Sequence, residues 1–450
     1  MVAGRAAAII PPVPESPNEA RAREVRQQVR GIFLHALAEI GIDKAFKRSV
    51  EYSRGVLRIG QDLLPVASFG RVSVIAIGKA SQTMAQALSA EMGPQAGIIA
   101  TPAAPEIMLP GFSYFIGGHP LPNAESVKAA RSLLRTLEGR KENDLVIFLL
   151  SGGGSSVVES PLDPDISLED LISTYRVLVH SGAPIAEVNA IRKHLSAVKG
   201  GRLALAAYPA QQVSIMVSDV PENALDSLAS GPTMPDSTTE ADCYAIAKKY
   251  EMAKQFPAVV REFFEKEQLE ETPKSGDAAF VRSRWWPILS SAAAEKAAAE
   301  AASRAGFAVE IDHSCDDWEY TRAANYLLGR LRELRKGVSR ACLISGGEVT
   351  VAVPETAGVG GRNQQFALYC AQKIAGENIC VLSAGSDGID GNSPAAGAVV
   401  DGTTASRAAA ELVPAMQRFN GFPLFEKLGD AVITGPTGNN VRDLRILVAY

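Results

Sequence analysis

The chain has 450 residues, 46% of them hydrophobic and 21% charged. That is a globular balance in a chain too long for one ordinary core, so two or three domains are expected. A formal net charge of −5 without a basic cluster excludes a nucleic-acid footprint, and no apolar run reaches the roughly 18 residues of a membrane span.

The five cysteines (Cys243, Cys315, Cys342, Cys370, Cys380) form no C-x-x-C pair, and the five histidines show no H-x-x-x-H spacing. This usage fits a reducing, cytoplasmic setting and neither a disulfide framework nor a zinc site.

Along the chain, residues 6–10 are apolar but too short for a signal segment, and Pro11, Pro12, Pro14 and Pro17 follow. Residues 1–19 are expected to be a disordered tail. Val25, Val29, Ile32, Phe33 and Leu37 recur three and four apart, which predicts a helix over 20–40. The near-continuous apolar run 72–77 reads as a strand buried on both faces. Gly78 and Lys79 turn it into a helix over 80–92. Short strands follow at 97–100 and 114–116, and Asn123 is a good cap for a helix reaching 137. Residues 145–150 are the next strand, 166–179 and 185–198 are helical, and 213–217 is a strand ending in Ser218 and Asp219. Residues 240–267 are polar and helix-rich, and 271–277 (ETPKSGD) has linker composition.

The alternation then restarts. Strands are expected at 287–289, 307–311, 341–344, 349–353, 379–382 and 444–448, with helices at 292–304, 317–335 and 363–374. Repeated strand–helix alternation predicts an α/β protein with parallel sheets covered by helices. The break at 271–286 suggests two domains, 20–275 and 285–450. Ligands of such sheets bind at strand carboxyl ends. Ser151, Asp219, Ser345 and Asp387 fall at such ends, so the site is expected in a cleft between the domains.

Two glycine-rich segments carry most of the functional signal. Ser151, Gly152, Gly153, Gly154, Ser155 and Ser156 follow the apolar strand 145–150, and Gly358, Gly360, Gly361, Arg362, Asn363 and Gln364 open a helix. Glycine lets the backbone approach a ligand and present amide N–H groups to anionic oxygens. Neither segment is a Walker A loop, and Asn363 stands where G-x-G-x-x-G needs its third glycine. Lys79, after a buried strand, is placed to compensate phosphate charge. Arg362, flanked by glycines and an amide, suits bidentate binding of phosphoryl or carboxylate oxygens. Asp219, Asp387 and Asp390 are candidates to hold Mg²⁺, with Asp387 and above all Asp390 alternatively stabilising tight turns or capping helices, and Glu348 is a candidate metal ligand or base. The loop 434–440, with Thr437 and Asn439, offers polar donors, and His119 is a candidate substrate contact.

Ten ordered segments resemble one family: AIGKA (76–80), GGHPLPN (117–123), LSGGGSS (150–156), NAIRKHLSAVKGGRLA (189–204), SDVPEN (218–223), SGPT (230–233), LISGGEVTV (343–351), GGRNQQFAL (360–368), SAGSDGIDGN (383–392) and GPTGNNVRDL (435–444). They match the glycerate 2-kinases with a MOFRL carboxyl-terminal domain. The resemblance implies transfer of the ATP γ-phosphoryl group to the 2-hydroxyl of D-glycerate with a divalent metal. It also implies a Rossmann-like amino-terminal parallel sheet with helices on both faces, and a smaller α/β carboxyl-terminal domain. The family's essential lysine and arginine fall on Lys79 and Arg362.

The expected assignments are therefore Lys79, Arg362 and Asp219 as catalytic residues, and Asp387 and Glu348 as ligands of Mg²⁺. ATP is expected on Ser151, Gly152, Gly153, Gly154, Ser155, Ser156, Gly360, Gly361, Asn363, Gln364, Thr437 and Asn439. Whether Asp219 or Asp387 holds the metal or orients the attacking hydroxyl stays open. Partners are a small-molecule substrate, with neither nucleic acid nor membrane, in a monomer or homodimer. Family members have also been labelled hydroxypyruvate reductases. That rival needs a dinucleotide fingerprint, which is absent here. A non-catalytic sugar-acid sensor would need no lysine beside a phosphate site.

Overall fold

The computed structural model describes residues 17–450. Most of the expected tail, residues 1–16, lies outside the described residues. Its last three residues are helical. The helix Pro17–Glu39 starts at a proline, whose missing N–H is no loss in a first turn, and buries Val25, Val29, Ile32 and Phe33 as their spacing predicts.

The chain forms two compact units. The first comprises Leu37–Ala297 with Pro436–Arg442, and the second comprises residues through Ala36, Ala298–Gly435 and Asp443–Tyr450. The expected break at 271–286 thus lies inside the first unit.

In the first unit a small antiparallel sheet of β1 (Val50–Ser53), β2 (Val56–Ile59) and β3 (Asp62–Pro65) precedes the main one. The main sheet is built from β4 (Arg71–Ile77), β5 (Gly97–Thr101), β6 (Phe112–Ile116), β7 (Asp144–Ser151), β8 (Gln211–Val217) and β9 (Ser283–Leu289). The order is β6-β5-β4-β7-β8-β9 and every neighbouring pair is parallel. Strand order reverses between β4 and β7, the arrangement of a doubly wound sheet.

Residues alternate across β7. Leu145, Ile147 and Leu149 pack with Phe46, Met84 and Leu88 on one face, and Val146, Phe148 and Leu150 pack with Ala129, Leu133 and Leu203 on the other. Burial on both faces is why these strands read as unbroken apolar runs. The helix Ala124–Leu137 begins at Asn123, whose side chain accepts the Ser126 amide while the Ser126 hydroxyl receives the Asn123 amide. Residues 287–289, expected to open the second domain, are instead the end of β9, the edge of this sheet.

The second unit departs from the expected parallel sheet. Its strands are β10 (Ala308–Ile311), β11 (Ala341–Gly346), β12 (Ile379–Gly385), β13 (Gly397–Asp401), β14 (Ala431–Val432) and β15 (Asp443–Ala449), in the order β10-β11-β15-β12-β13-β14. Only β10 and β11 are parallel, and the other pairs are antiparallel. β15 inserts between β11 and β12 and runs against both, and β13 and β14 add two further antiparallel pairs. Residues 349–353 form no strand, because Thr350 exchanges backbone hydrogen bonds only with Trp318 and Tyr320. The helix Pro17–Glu39 was expected in the amino-terminal domain. Its Arg26 pairs with Asp401 and Asp430, which ties all of it through Ala36 to the second unit.

Among the described residues no helix is long and apolar enough to cross a membrane. All five cysteines are buried and free.

The first unit also carries a buried ionic centre. The Glu159 carboxylate accepts from the Lys199 ammonium, the Tyr175 hydroxyl, the Ser196 hydroxyl (2.6 Å) and the Ser160 amide (2.9 Å), and Glu159 and Lys199 are almost wholly removed from solvent. Deleting one partner strands the other in a low dielectric. Glu159→Ala is therefore expected to lower unfolding free energy by about 3–5 kcal/mol. Urea titration of the purified variant measures this. A loss within about 0.5 kcal/mol, the size of an ordinary surface substitution, would contradict it.

Candidate active site

In the first unit the switch point between β4 and β7 is held shut by backbone. The Lys79 amide donates to the Gly152 carbonyl (2.9 Å). The Ala80 amide donates to Ser151 Oγ (3.0 Å), whose hydroxyl in turn reaches the Ile77 carbonyl (3.3 Å). Gly78 has φ +115°, and a Cβ there would stand 2.4 Å from the Ser151 carbonyl oxygen, so no other residue fits. The helix Ser81–Met92 starts directly after this turn, and its first amides lack a side-chain cap.

Lys79 is exposed. Its aliphatic stem lies over Gly153, with Cγ 3.0 Å from where a Cβ would be. Asp219, at the end of β8, closes the other side. Its carboxylate sits so close to Gly152 that a Cβ would be 1.9 Å from Oδ2. Burial raises the Asp219 pKa above the ordinary carboxylate value, while Lys79 and Arg442 pull against that shift. Burial and the Lys79 charge both lower the His119 pKa. His119 Nδ1 is 3.2 Å from Ser156 Oγ, and Ser155 Oγ is 2.7 Å from Ser230 Oγ. Lys79, Gly152, Gly153, Asp219, His119 and Ser156 are therefore one neighbourhood.

In the second unit Arg362 opens the helix Arg362–Lys373. Its Nε and Nη2 donate to the two oxygens of Asp443 (2.6 and 3.1 Å), and Nη2 also lies 2.8 Å from Glu348 Oε1. Burial opposes the guanidinium charge, but Asp443 and Glu348 outweigh it and hold the pKa above its ordinary value. The helix has no cap from its own Gly361. Asp390 supplies one from a distant loop, accepting the amides of Asn363 (3.0 Å) and Gln364 (2.8 Å). Burial drives the Asp390 pKa up to about 7 against those two amides. A cavity of about 510 Å³ is lined by Gly360, Gly361, Arg362, Asn363, Asp387 and Asp390, among others.

Several expected nucleotide contacts use their side chains inside the fold. Ser151 locks β4 to β7. Asn363 bridges Asp390 and Ser383, and Gln364 Nε2 donates to Ser393. Thr437 Oγ1 exchanges hydrogen bonds with the Asn439 backbone, and Asn439 Nδ2 donates to the Ile40 carbonyl. Asp390 is the helix cap that its turn-rich setting suggested. Glu348 pairs with Arg362, and the Asp387 carboxylate accepts the Ile389 amide (3.1 Å).

Among the described residues no three His, Cys, Asp or Glu side chains cluster as a ready metal cage. Mg²⁺ does not require one, since it is commonly bound by one or two carboxylates with phosphate oxygens and waters. Asp387 and Glu348 offer hard oxygens of the type Mg²⁺ takes, each also engaged within the fold.

Sequence reasoning missed Asp443, Arg442 and Arg192. Asp443 and Arg442 follow the GPTGNN loop directly, and Arg192 lies within NAIRKHLSAVKGG, so the signal was present but nothing in the spacing linked these residues to their partners.

Two family models match the chain: the domain of unknown function DUF4147 over residues 28–265, and the MOFRL family over residues 341–443. A D-glycerate 2-kinase of Thermotoga maritima is 37% identical over 403 residues, covering 86% of this chain and 93% of that protein. A putative hydroxypyruvate reductase of Agrobacterium vitis is 36% identical over 396 residues, covering 86% of this chain and 89% of that protein. The crystal structure of a glycerate kinase from Thermotoga maritima matches with a TM-score of 0.82 at 34% identity, covering 95% of this chain and all of that one.

The raised Asp390 pKa has a stability consequence. The folded protein holds this proton up to about pH 7, whereas an unfolded aspartate loses it near pH 4. The contribution is fully present below the unfolded value and is lost as pH rises through the folded one. Thermal unfolding at a series of pH values between 4 and 8 should show this loss, and Asp390→Asn should flatten it. An unchanged slope in the variant would refute the assignment.

Proposed function

The chain belongs to the glycerate 2-kinase family with a MOFRL carboxyl-terminal domain, and on that premise we propose that it transfers the γ-phosphoryl group of ATP to the 2-hydroxyl of D-glycerate. The products are 2-phosphoglycerate and ADP. The observation that carries this reading is the β4–β7 switch point, where backbone amides, Lys79 and Asp219 converge at the carboxyl ends of a doubly wound parallel sheet.

Phosphoryl transfer asks a protein mainly for positioning and charge compensation. The turn at 152–154 and the first amides of the helix Ser81–Met92 receive phosphate oxygens. Lys79 brings a compact positive charge to them from its seat on Gly153. Arg362, in the second unit, offers phosphoryl or carboxylate oxygens a planar fork already oriented by Asp443 and Glu348. Such pre-orientation lowers the reorganisation needed when charge develops.

Asp219 is the candidate for the acceptor hydroxyl. Burial raises its pKa, which makes it a better proton acceptor than an exposed aspartate. Asp387 and Glu348 would hold Mg²⁺, which when bound neutralises charge on the nucleotide phosphates.

The hydroxypyruvate reductase reading lacks support at the same place. The turn after β4 is Gly78-Lys79-Ala80, without the glycine fingerprint that lets a dinucleotide pyrophosphate approach.

Purified protein given D-glycerate, ATP and Mg²⁺ should form 2-phosphoglycerate, and should not oxidise NADH or NADPH with hydroxypyruvate. Robust reductase turnover without transfer would overturn the proposal. Lys79→Ala and Arg362→Ala should each remain folded and lose kcat/KM by on the order of 10²–10⁵-fold. Arg362→Lys should recover little, because an ammonium cannot span both oxygens of Asp443. A folded alanine variant with near-normal kcat/KM would remove that residue from the mechanism.

A further inference from the structure

Beside the Lys79 turn, the first unit holds a cavity of about 490 Å³ lined by His119, Pro120, Leu121, Gly153, Ser155, Ser156, Tyr175, Arg176, Val179, His180 and Arg192. It reaches Gly153, the residue on which the Lys79 stem rests. The charges around it do not cancel. The Glu159 carboxylate, which accepts from Tyr175, is also engaged by Lys199, Ser196 and the Ser160 amide. Arg192 lies with its guanidinium carbon 4.9 Å from the centre of the Tyr175 ring. Its Nε is buried without a hydrogen-bond partner, and among the described residues no carboxylate pairs with it.

A planar cation stacked on an immobilised aromatic ring, in a cavity with apolar walls, is an unmatched anion receptor. The tyrosine itself is fixed, since its hydroxyl is tied to the buried Glu159. Arg192 is thus held in place by packing, with its donors left for a ligand.

We infer that this cavity takes the carboxylate of the acceptor hydroxy acid, and that Arg192 is the residue that selects for it. The inference rests on the proposed kinase reaction and names how the acceptor is recognised. The carboxylate pairs with Arg192, while the hydroxyl-bearing carbon is directed toward Ser155, His119 and the Gly153–Lys79 end of the cavity. The Glu159–Lys199 pair acts indirectly. It neutralises the floor, so that the charge left to a ligand is positive, from Arg192 on the Tyr175 ring and from Arg176 at the exposed side. Leu121 and the exposed Pro120 and Val179 form the apolar part of the cavity wall.

The test compares wild type, Arg192→Gln and Arg192→Lys with two acceptors: D-glycerate, and glycerol as a neutral analogue lacking the carboxylate. Circular dichroism and the thermal midpoint establish that each variant is folded. In Arg192→Gln, KM for D-glycerate should rise by on the order of 10²-fold, because the charge-assisted pairing with the carboxylate is gone. KM for ATP should stay unchanged, and the preference for D-glycerate over glycerol should fall by the same factor. Arg192→Lys, which keeps the charge and the stem but not the fork, should fall between the two. Should Arg192→Gln fail to fold, the lysine variant carries the test through the same KM split.

If wild type transfers phosphate to D-glycerate but the Arg192 variants keep its KM, the subsite is wrong and the kinase reading stands. If KM for ATP rises instead, the cavity serves the nucleotide and the inference is overturned. If wild type shows no transfer to D-glycerate, both fall together.

Discussion

The arrangement at the switch point depends on the lock between the ends of β4 and β7. Three backbone and hydroxyl contacts, among Ile77, Lys79, Ala80, Ser151 and Gly152, join two turns that are more than seventy residues apart in sequence. The joint leaves no volume at Gly78 or Gly152, and this brings Lys79 and Asp219 to the same turn. A side chain at either glycine would push apart the two strand ends that define the crevice. The geometry at this point is therefore set by the sheet's topology, and its precision comes from backbone rather than from flexible side chains.

A second theme is which charges the fold neutralises and which it leaves. Glu159 and Lys199 cancel in the interior, so neither is available to a ligand. Arg362 is different. It is paired with Asp443 and Glu348, yet it lines a cavity, so the same contacts that hold its charge also fix its direction. Asp390 does for the helix Arg362–Lys373 what a neighbouring serine or asparagine does for other helices, because Gly361 has no side chain to offer. The glycine beside Arg362 and the aspartate nearly thirty residues later are two halves of one device.

Much of this was legible in the sequence where local chemistry decides. The buried strands β4, β7 and β8 read as apolar runs because both faces are covered, and Asn123 announced its helix. The positions of Lys79, Gly152 and Asp219 at strand ends also followed from pattern alone. What depends on distant pairing was not legible. β15 inserted between β11 and β12, and β13 ran back against β12, so an expected parallel sheet became a mixed one. The helix Pro17–Glu39 joined the second unit through Arg26, Asp401 and Asp430, residues with no local signal for one another. Residues 349–353 have the composition of a strand but no neighbouring strand to extend. The same limit hid Asp443 and Arg192. Each is an ordinary charged residue in sequence and acquires meaning only from what it faces, or fails to face, once the chain has folded.

The central claim is that the turn formed by β4 and β7 is the phosphate site. The most direct measurement is a crystal structure with a non-hydrolysable ATP analogue, Mg²⁺ and D-glycerate bound. The account predicts the terminal phosphates against the amides of residues 152–154, with the Lys79 ammonium within hydrogen-bond distance of a phosphate oxygen. Phosphates bound elsewhere, with Lys79 directed into solvent, would contradict it.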